Sequence, residues 1–179
     1  IYPVTGVEAA VYAGWRGKTA GFDPERILTL ARTTDELPEL PYSVFGSLTL
    51  GAAVIDQGGV LRAPLGALNL GVNKGGDAGS ITRAVNLLAG SETSASAAGL
   101  VMPYGGTNDG VAWQYAGEQV KLQGVGTAAV GSVRLLGEHV DVREGATIDL
   151  SGGGTLTGAG FVSGRGGSTD ARFNPLVQI

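Results

Sequence analysis

Short runs in which apolar and polar residues alternate dominate the chain. In each run successive side chains point to opposite faces, as half-buried β-strands require. The best helical signal is weaker, since Asp23-Pro24 favours only one short helical turn leading toward Ala31. The pattern therefore predicts an all-β protein. The alternating runs are Val7–Tyr12, Ser47–Leu50, Ala67–Leu70, Val133–Leu135, Val140–Val142 and Thr147–Leu150.

Two segments of the chain recur. Residues 46–51 (GSLTLG) return as residues 66–71 (GALNLG), and residues 90–99 (GSETSASAAG) are echoed by residues 145–154 (GATIDLSGGG). A repeat of about twenty residues, made of short strands and glycine turns, is typical of a β-solenoid. At twenty-odd residues per turn, the 179 residues predict a parallel β-helix of roughly seven turns, with neighbouring strands about 4.8 Å apart.

Glycine- and proline-rich stretches interrupt the repeat and suggest a division into four regions. Trp113 and Tyr115 alternate with polar residues after an Asn108-Asp109-Gly110 turn, which predicts a hairpin projecting from the helix. The regions are an irregular β region continuing from upstream coils (1–41), β-helix coils (42–100), the extra-helical hairpin (101–124) and further coils (125–179).

The composition supports short strands joined by tight turns. Glycine contributes 32 of the 179 residues, and 43% of the residues are hydrophobic, which allows a buried core. Cysteine is absent, so disulfides and thiolate metal sites are excluded. The formal net charge is −4 and no basic cluster occurs, so we expect no nucleic-acid partner.

Several segments, in order, resemble the filamentous haemagglutinin family of two-partner-secretion exoproteins. They are residues 40–46 (LPYSVFG), 57–66 (QGGVLRAPLG), 94–107 (SASAAGLVMPYGGT), 145–154 and 161–168 (FVSGRGGS). The resemblance implies a right-handed parallel β-helix that is secreted through an outer-membrane transporter to the bacterial surface. It implies a structural shaft segment of a large filamentous adhesin, serving adhesion, aggregation or biofilm, and it transfers no catalytic residue and no cofactor.

The partners that follow are the outer-membrane secretion transporter, a glycan or protein of a host or bacterial surface, and further copies of the chain. Self-association is also expected on physical grounds, since each terminal coil of a β-helix exposes unpaired backbone groups.

The aromatic residues of the predicted hairpin are the candidate binding surface. Tyr104, Trp113 and Tyr115, together with Met102, concentrate in one segment that breaks the coil pattern. Aromatic rings of this kind stack on sugars or anchor protein partners. The competing interpretation is that they lie on the flank of the helix and cover its apolar side.

Two other functions remain open at this point. A carbohydrate-active β-helix enzyme would use outward carboxylates such as Asp141 and Asp149, with about 5–10 Å between them. The stalk of a contact-dependent toxin delivery protein is the second. His139 is interpreted as a solvated turn residue, and the single calcium-repeat-like segment at Gly75–Gly79 is too short for a metal site, so no metal is expected.

Overall fold

The computed structural model of the chain describes residues 1, 5–18, 20–73, 81–108, 112–115, 118–119, 131–161 and 177–178. These residues contain β-strands and no helix, which confirms the all-β class. The chain divides into two units: unit 1 comprises Ile1–Ala98 and Val130–Gly153, and unit 2 comprises Gly99–Ala129 and Gly154–Ile179.

The strands of unit 1 are β1 (Glu8–Tyr12), β2 (Ile27–Ala31), β3 (Ser47–Gly51), β4 (Val54–Gly58), β5 (Val60–Arg62), β6 (Ala67–Leu70), β7 (Ala84–Leu87), β8 (Glu92–Ser94), β12 (Ser132–Leu135), β13 (His139–Val142) and β14 (Thr147–Asp149). Those of unit 2 are β9 (Val101–Asn108), β10 (Ala112–Tyr115), β11 (Glu118–Gln119), β15 (Thr155–Phe161) and β16 (Val177–Gln178).

Unit 1 consists of three parallel sheets. Sheet 1 has the order β1-β3-β6-β12, sheet 2 the order β13-β7-β4-β2, and sheet 3 the order β14-β8-β5. Within unit 1, successive strands enter the three sheets in turn: β3, β4 and β5 are followed by β6, β7 and β8 and then, after β9–β11 of unit 2, by β12, β13 and β14. Each such trio forms one layer that is hydrogen-bonded to the layer before it.

The recurring sequence segments are neighbours in space. Leu48 and Leu50 of the first echo pair in parallel register with Leu68 and Leu70. In the second echo Thr93 pairs with Ile148, and the backbone N–H of Gly90 donates a 3.0 Å hydrogen bond to the Gly145 carbonyl. The repeated sequence segments therefore correspond to strands that pair in register.

The number of residues between equivalent strands of successive layers varies, whereas the sequence predicted a constant repeat. In sheet 1, Glu8 pairs with Ser47, Ser47 with Ala67, and Ala67 with Ser132. Long connections enter between some strands and short ones between others, so among the described residues sheets 1 and 2 are four strands deep, where a constant repeat predicted roughly seven turns. The estimate of seven turns was wrong because it counted the residues of the long connections as residues of stacked strands.

The region before residue 41 contributes two complete strands. β1 and β2 pair in register with β3 and β4, so this part of the chain forms a layer of its own. The helical turn favoured after Asp23-Pro24 is limited to a turn at Pro24 and Glu25, and β2 begins at Ile27. Ile27, Leu28, Thr29 and Leu30 alternate in exposure, which is the strand pattern.

The core of unit 1 consists of apolar columns that run from layer to layer. One column in sheet 1 contains Leu48 and Leu68, exposed by 4% and 0%, and a column in sheet 2 contains Ile55 and Val85, both 0% exposed. Because strand register places like positions on top of one another, a small set of leucine, valine and isoleucine positions fills the interior. Each fully buried side chain of this size contributes about 1.5–3 kcal/mol.

One amide lies inside this apolar interior. Gln57 is fully buried, and its Nε2 donates to the carbonyls of Gly59 and Glu92, both at 3.1 Å. Its Oε1 accepts from the Gly59 N–H at 3.2 Å, and Nε2 also lies 3.4 Å from the Thr93 hydroxyl. All of its polar atoms are therefore hydrogen-bonded, which removes most of the cost of burying them and ties sheet 2 to sheet 3.

The corner that leads into sheet 1 has an unusual backbone. Phe45 and Leu65 take left-handed conformations, with φ of 58° and 55°, at equivalent positions before β3 and β6. Non-glycine residues adopt this region rarely. Each is held by a hydrogen bond to another layer, from Phe45 N–H to the Pro64 carbonyl and from Leu65 N–H to the Ala95 carbonyl, both at 3.0 Å.

Unit 2 is a mixed five-stranded sheet of order β11-β10-β9-β15-β16. β9 pairs antiparallel with β10 and parallel with β15. Pro103 pairs with Thr157 and Gly106 with Ala159, so β9 carries one extra residue at this point. Gly105 lies in this irregularity with φ of 73°, a conformation that glycine adopts without strain.

Gly66 should be a sensitive position of the stack. A methyl group there would overlap the Gly46 carbonyl oxygen in the neighbouring layer, whereas one at Gly152 meets nothing within 4 Å. We expect Gly66→Ala to lower the free energy of unfolding by about 1–3 kcal/mol and Gly152→Ala to change it by less than about 0.5 kcal/mol. Urea titrations followed by circular dichroism measure both values, and equal stabilities would contradict the layer spacing.

Candidate functional site

The predicted aromatic surface lies in unit 2. Met102 and Tyr104 belong to β9, and Trp113 and Tyr115 belong to β10. The backbone of Trp113 pairs with Thr107, and that of Tyr115 pairs with Glu118. The structure thus places the four residues on two adjacent antiparallel strands.

Exposure alternates at the start of β9. Val101 is 60% exposed and Pro103 is exposed, whereas Met102 and Tyr104 are 9% and 8% exposed. Little of Tyr104 is therefore accessible to a ligand. The binding role of Trp113 and Tyr115 stays a prediction, since their side chains lie outside the described part of the structure.

The two candidate carboxylates lie on different sheets. Asp141 is on β13 of sheet 2, where its Oδ2 accepts from Arg143 Nε at 3.2 Å. Asp149 is on β14 of sheet 3. A two-carboxylate hydrolytic site needs both groups on either side of one sugar bond, and pairing of these two stays a prediction. His139 is also on β13, on an exposed strand position rather than in a turn.

Asp149 is the centre of a hydroxyl network. Its Oδ1 accepts from the Ser151 hydroxyl at 2.6 Å and from the Ser151 N–H at 2.9 Å, and the Ser151 hydroxyl lies 2.9 Å from that of Ser96. The Ser151 hydroxyl and then its N–H lower the pKa of Asp149; burial opposes them, and the hydroxyls of Ser96 and Ser94 lower it further. The carboxylate is thus committed to holding the turn after β14.

A cavity of about 720 Å³ lies beside the free edge of β2. Its floor is made by the first strands of sheets 2 and 3, and a segment at residues 32–39 forms its wall. The side chains and backbone that line it include Leu28, Leu30, Arg32, Leu37, Pro38 and Val60. The lining combines apolar side chains with three threonines, two glutamates and the cationic Arg32.

Arg62 holds the wall of this cavity in place. Its Nε and Nη2 donate to the two carboxylate oxygens of Glu92 at 2.7 and 3.3 Å, and its Nη1 donates to the carbonyls of Pro38 and Glu39 at 2.5 and 3.3 Å. Both side chains of the ion pair are largely buried, with 11% and 18% exposure. Such a bidentate, partly desolvated pair is stronger than a surface ion pair.

Arg32 adds a second attachment of the same wall. Its guanidinium donates to the Gly90 carbonyl at 3.4 Å and to the Asp35 carbonyl. Its Nε is buried with no hydrogen-bond partner, so this side chain is only partly satisfied.

Sequence reasoning missed both the Arg62–Glu92 pair and the Asp149 network. Arg62 and Glu92 are far apart along the chain and meet only because β5 and β8 are neighbours. The local Asp149–Ser151 pair carries a usable signal, because an aspartate two residues before a serine commonly forms a side-chain-to-backbone turn.

The described residues hold no group of three or more His, Cys, Asp or Glu side chains arranged for a metal ion. The calcium-repeat-like segment Gly75–Gly79 lies outside the described residues. Within the described part of the chain, no helix has the length and apolarity of a membrane span.

Comparisons of the chain with protein-family models, with curated proteins and with solved structures yield no match.

The Asp149 network predicts a pH-dependent contribution to stability. Since the folded pKa lies below the unfolded value of about 3.9, the ionised carboxyl stabilises the fold above that value. This contribution is lost as the pH falls through the folded pKa. We expect Asp149→Asn to be less stable than wild type at pH 7, with a difference that shrinks toward pH 2 in urea titrations. In a Ser151→Ala background the pH-dependent part should become smaller; an unchanged difference across the pH range would contradict the assignment.

The Arg62 clamp predicts a local effect on residues 32–39. Arg62→Ala removes the bonds to Pro38 and Glu39, so protease cleavage within this segment should accelerate about tenfold. Arg143→Ala is the matched control, because its ion pair with Asp141 is 57% exposed on both sides. Peptide mapping by mass spectrometry gives the cleavage rates, and similar rates in the two variants would argue against a clamp.

Proposed function

We propose that the chain is a structural shaft segment of a large secreted bacterial filamentous adhesin, folded as a right-handed parallel β-helix. In this function the chain works through its length and stiffness rather than through a reaction. It displays binding or toxic modules at a distance from the cell, and its loops add contacts to surfaces.

The observation that carries the proposal is the layered stacking of unit 1. Strands of successive layers enter three sheets in the same order, run parallel and keep like residues in register. A chain that winds repeatedly through three sheets in this way is typical of a β-helix. The order of the segments that resemble the filamentous haemagglutinin family supports the same fold and adds secretion through an outer-membrane transporter.

The distribution of polar side chains also supports a scaffold. Outward positions of neighbouring layers bond to each other, from Asn86 Nδ2 to Asp56 Oδ1 at 2.7 Å and from Asn69 Nδ2 to Thr49 Oγ1 at 3.2 Å. These side chains connect layer to layer. Part of their hydrogen-bonding capacity is thus used between layers, as we expect of side chains whose role is to stabilise a shaft.

One surface is the candidate for contacts with partners in this proposal. Trp113 and Tyr115 of β10 are the candidates for stacking on a surface glycan or for anchoring a protein. The toxin-delivery stalk would use the same shaft for a different distal module. The carbohydrate-active enzyme is the other alternative, and its two candidate carboxylates, Asp141 and Asp149, lie in different sheets.

Surface display tests the shaft function. Cells that export the chain together with an outer-membrane transporter of the two-partner type should settle faster and adhere better to glycan-coated or cell-coated surfaces than cells without it. Gly66→Ala should reduce both effects at equal surface density, because it disturbs the stack, whereas Gly152→Ala should not. Settling rates and adherent-cell counts are the measurements.

The binding contribution of the aromatic strand is separable in the same assay. Trp113→Ala should lower adhesion while the protein keeps its circular dichroism spectrum. Adhesion that is independent of the displayed chain would contradict the shaft function. Turnover of acidic polysaccharides that vanished in Asp149→Asn would replace it with the enzymatic alternative.

A further inference from the structure

The connection between β1 and β2 contains one peptide bond with its own reactive chemistry. Asp23-Pro24 is the only aspartyl-prolyl bond among the 179 residues. Its nitrogen belongs to the proline ring and carries no hydrogen. The aspartate carboxyl lies one ring closure away from the carbonyl carbon of the same residue. When neutral, it supplies both a nucleophilic oxygen and a proton for the leaving nitrogen.

A small hairpin fixes the position of Asp23. Trp15 and Phe22 form an antiparallel bridge, and their rings contact edge to face with 5.0 Å between the centroids. Beside this bridge the Asp23 N–H donates to the Gly14 carbonyl at 2.8 Å. Phe22 is 4% exposed and packs in an apolar cluster, so the hairpin is anchored on buried side chains.

Three groups hold the Asp23 carboxylate. Arg16 Nη2 donates to Oδ2, and Arg26 Nε lies 3.8 Å from the same oxygen. The Glu25 N–H donates to Oδ1 at 3.1 Å. Arg26 comes this close because Gly14 has no side chain, since a methyl group there would lie 2.8 Å from the Arg26 Cβ. Both carboxylate oxygens are therefore engaged.

These contacts favour the ionised form of the carboxyl group. The Glu25 N–H lowers the pKa of Asp23 most; burial opposes it, and the hydrogen bond from Arg16 and the charges of Arg16 and Arg26 lower it further. The remaining charged side chains of this connection, Lys18 and Glu25, are exposed. An ionised carboxylate has no proton for the proline nitrogen, so the same contacts suppress attack on the peptide bond.

The peptide bond is also held at its carbonyl group and on its proline side. The Arg26 N–H donates to the Asp23 carbonyl at 3.1 Å, and this oxygen is the one that becomes negative during attack. The Pro24 carbonyl accepts from Arg83 Nη2 at 2.7 Å. Strands β1 and β2, on either side of the connection, pair in register with β3 and β4. A cut at this bond therefore leaves both strands in their sheets.

From these observations we infer that Asp23-Pro24 is an acid-sensitive self-cleavage site, and that Arg16 and Arg26 form a latch that suppresses cleavage. In the reaction, a carboxyl oxygen of neutral Asp23 bonds to the carbonyl carbon of the same residue. The carboxyl proton passes to the Pro24 nitrogen as the C–N bond breaks. Water then opens the cyclic anhydride, so one water molecule is consumed and the products carry a C-terminal aspartate and an N-terminal proline.

Asp23 is the reacting residue in this step, and the two arginines are positioning residues that act through its carboxylate. Cleavage requires neither the shaft function nor a partner, so either proposal can fail without the other.

Intact-mass spectrometry of the full chain, incubated between about pH 3 and about pH 6, measures the cleavage. We expect two fragments that end at Asp23 and begin at Pro24. At equal pH, the folded chain should form them about fivefold more slowly than the same chain unfolded in urea, because less of its carboxyl is neutral. Circular dichroism identifies the pH values at which the chain is folded.

Substitutions in the latch separate its effect from general stability. Arg16→Ala with Arg26→Ala should accelerate cleavage of the folded chain about fivefold and move the midpoint of the pH–rate curve to higher pH. Arg16→Lys with Arg26→Lys keeps both charges and should restore most of the suppression. The matched control is Arg143→Ala, which removes an exposed ion pair elsewhere and should leave the rate unchanged. Asp23→Asn removes the carboxyl group and should abolish cleavage.

Equal rates in the folded and unfolded chain would overturn the latch, as would an unchanged pH midpoint in the double alanine variant. A chain that stays intact in urea at about pH 3, or cleavage at this bond that persists in Asp23→Asn, would overturn the self-cleavage step. If the double variant unfolds, the single variants Arg16→Ala and Arg26→Ala carry the same test, since these side chains are 60% and 72% exposed.

Discussion

Parallel hydrogen bonding between successive layers is the constraint on which the rest of unit 1 depends. Each layer takes its position from the backbone of the layer before it, and strand register then decides which side chains meet. Leu48 packs on Leu68, and Ile55 on Val85, because register places them together. A shift by one residue would exchange the inward and outward faces of a strand and expose these columns.

The same constraint explains where polar groups occur. Gln57 is tolerated inside because the turn at Gly59 and the neighbouring layer satisfy its amide. Arg62 and Glu92 meet on the outside because β5 and β8 are adjacent. In both cases a side chain bonds to the next layer, so side-chain hydrogen bonds reinforce the backbone ladder.

The sequence was sufficient to predict strands, their alternation and the two repeated segments, since period-two patterns and glycine turns are local properties. It predicted the pairing of residues 46–51 with 66–71 because no long connection disturbs that interval. It failed on the number of layers, since the length of a connection carries no register information. β2 was obscured by Asp23-Pro24, whose turn is real but ends before Ile27.

The candidate site was less predictable for a physical reason. The aromatic residues and Met102 cluster in sequence, and the structure places them on two adjacent strands. Composition does not indicate which face of a strand is buried, and Tyr104 is buried. Asp141 and Asp149 both belong to alternating runs, yet a corner between β13 and β14 sends them to different sheets. Side-chain direction at a corner depends on the fold, not on the period.

The unequal connections between layers have a consequence for how such a chain can change over time. Strands of successive layers pair in register whether the connection before them is short, as from β3 to β4, or long, as from β8 to β12. Insertions and deletions at these corners leave the columns intact, because loops at the surface tolerate changes in length. Loops at these corners can thus change in length and sequence while the scaffold is kept, and a constant repeat spacing in the sequence is not required for the stack.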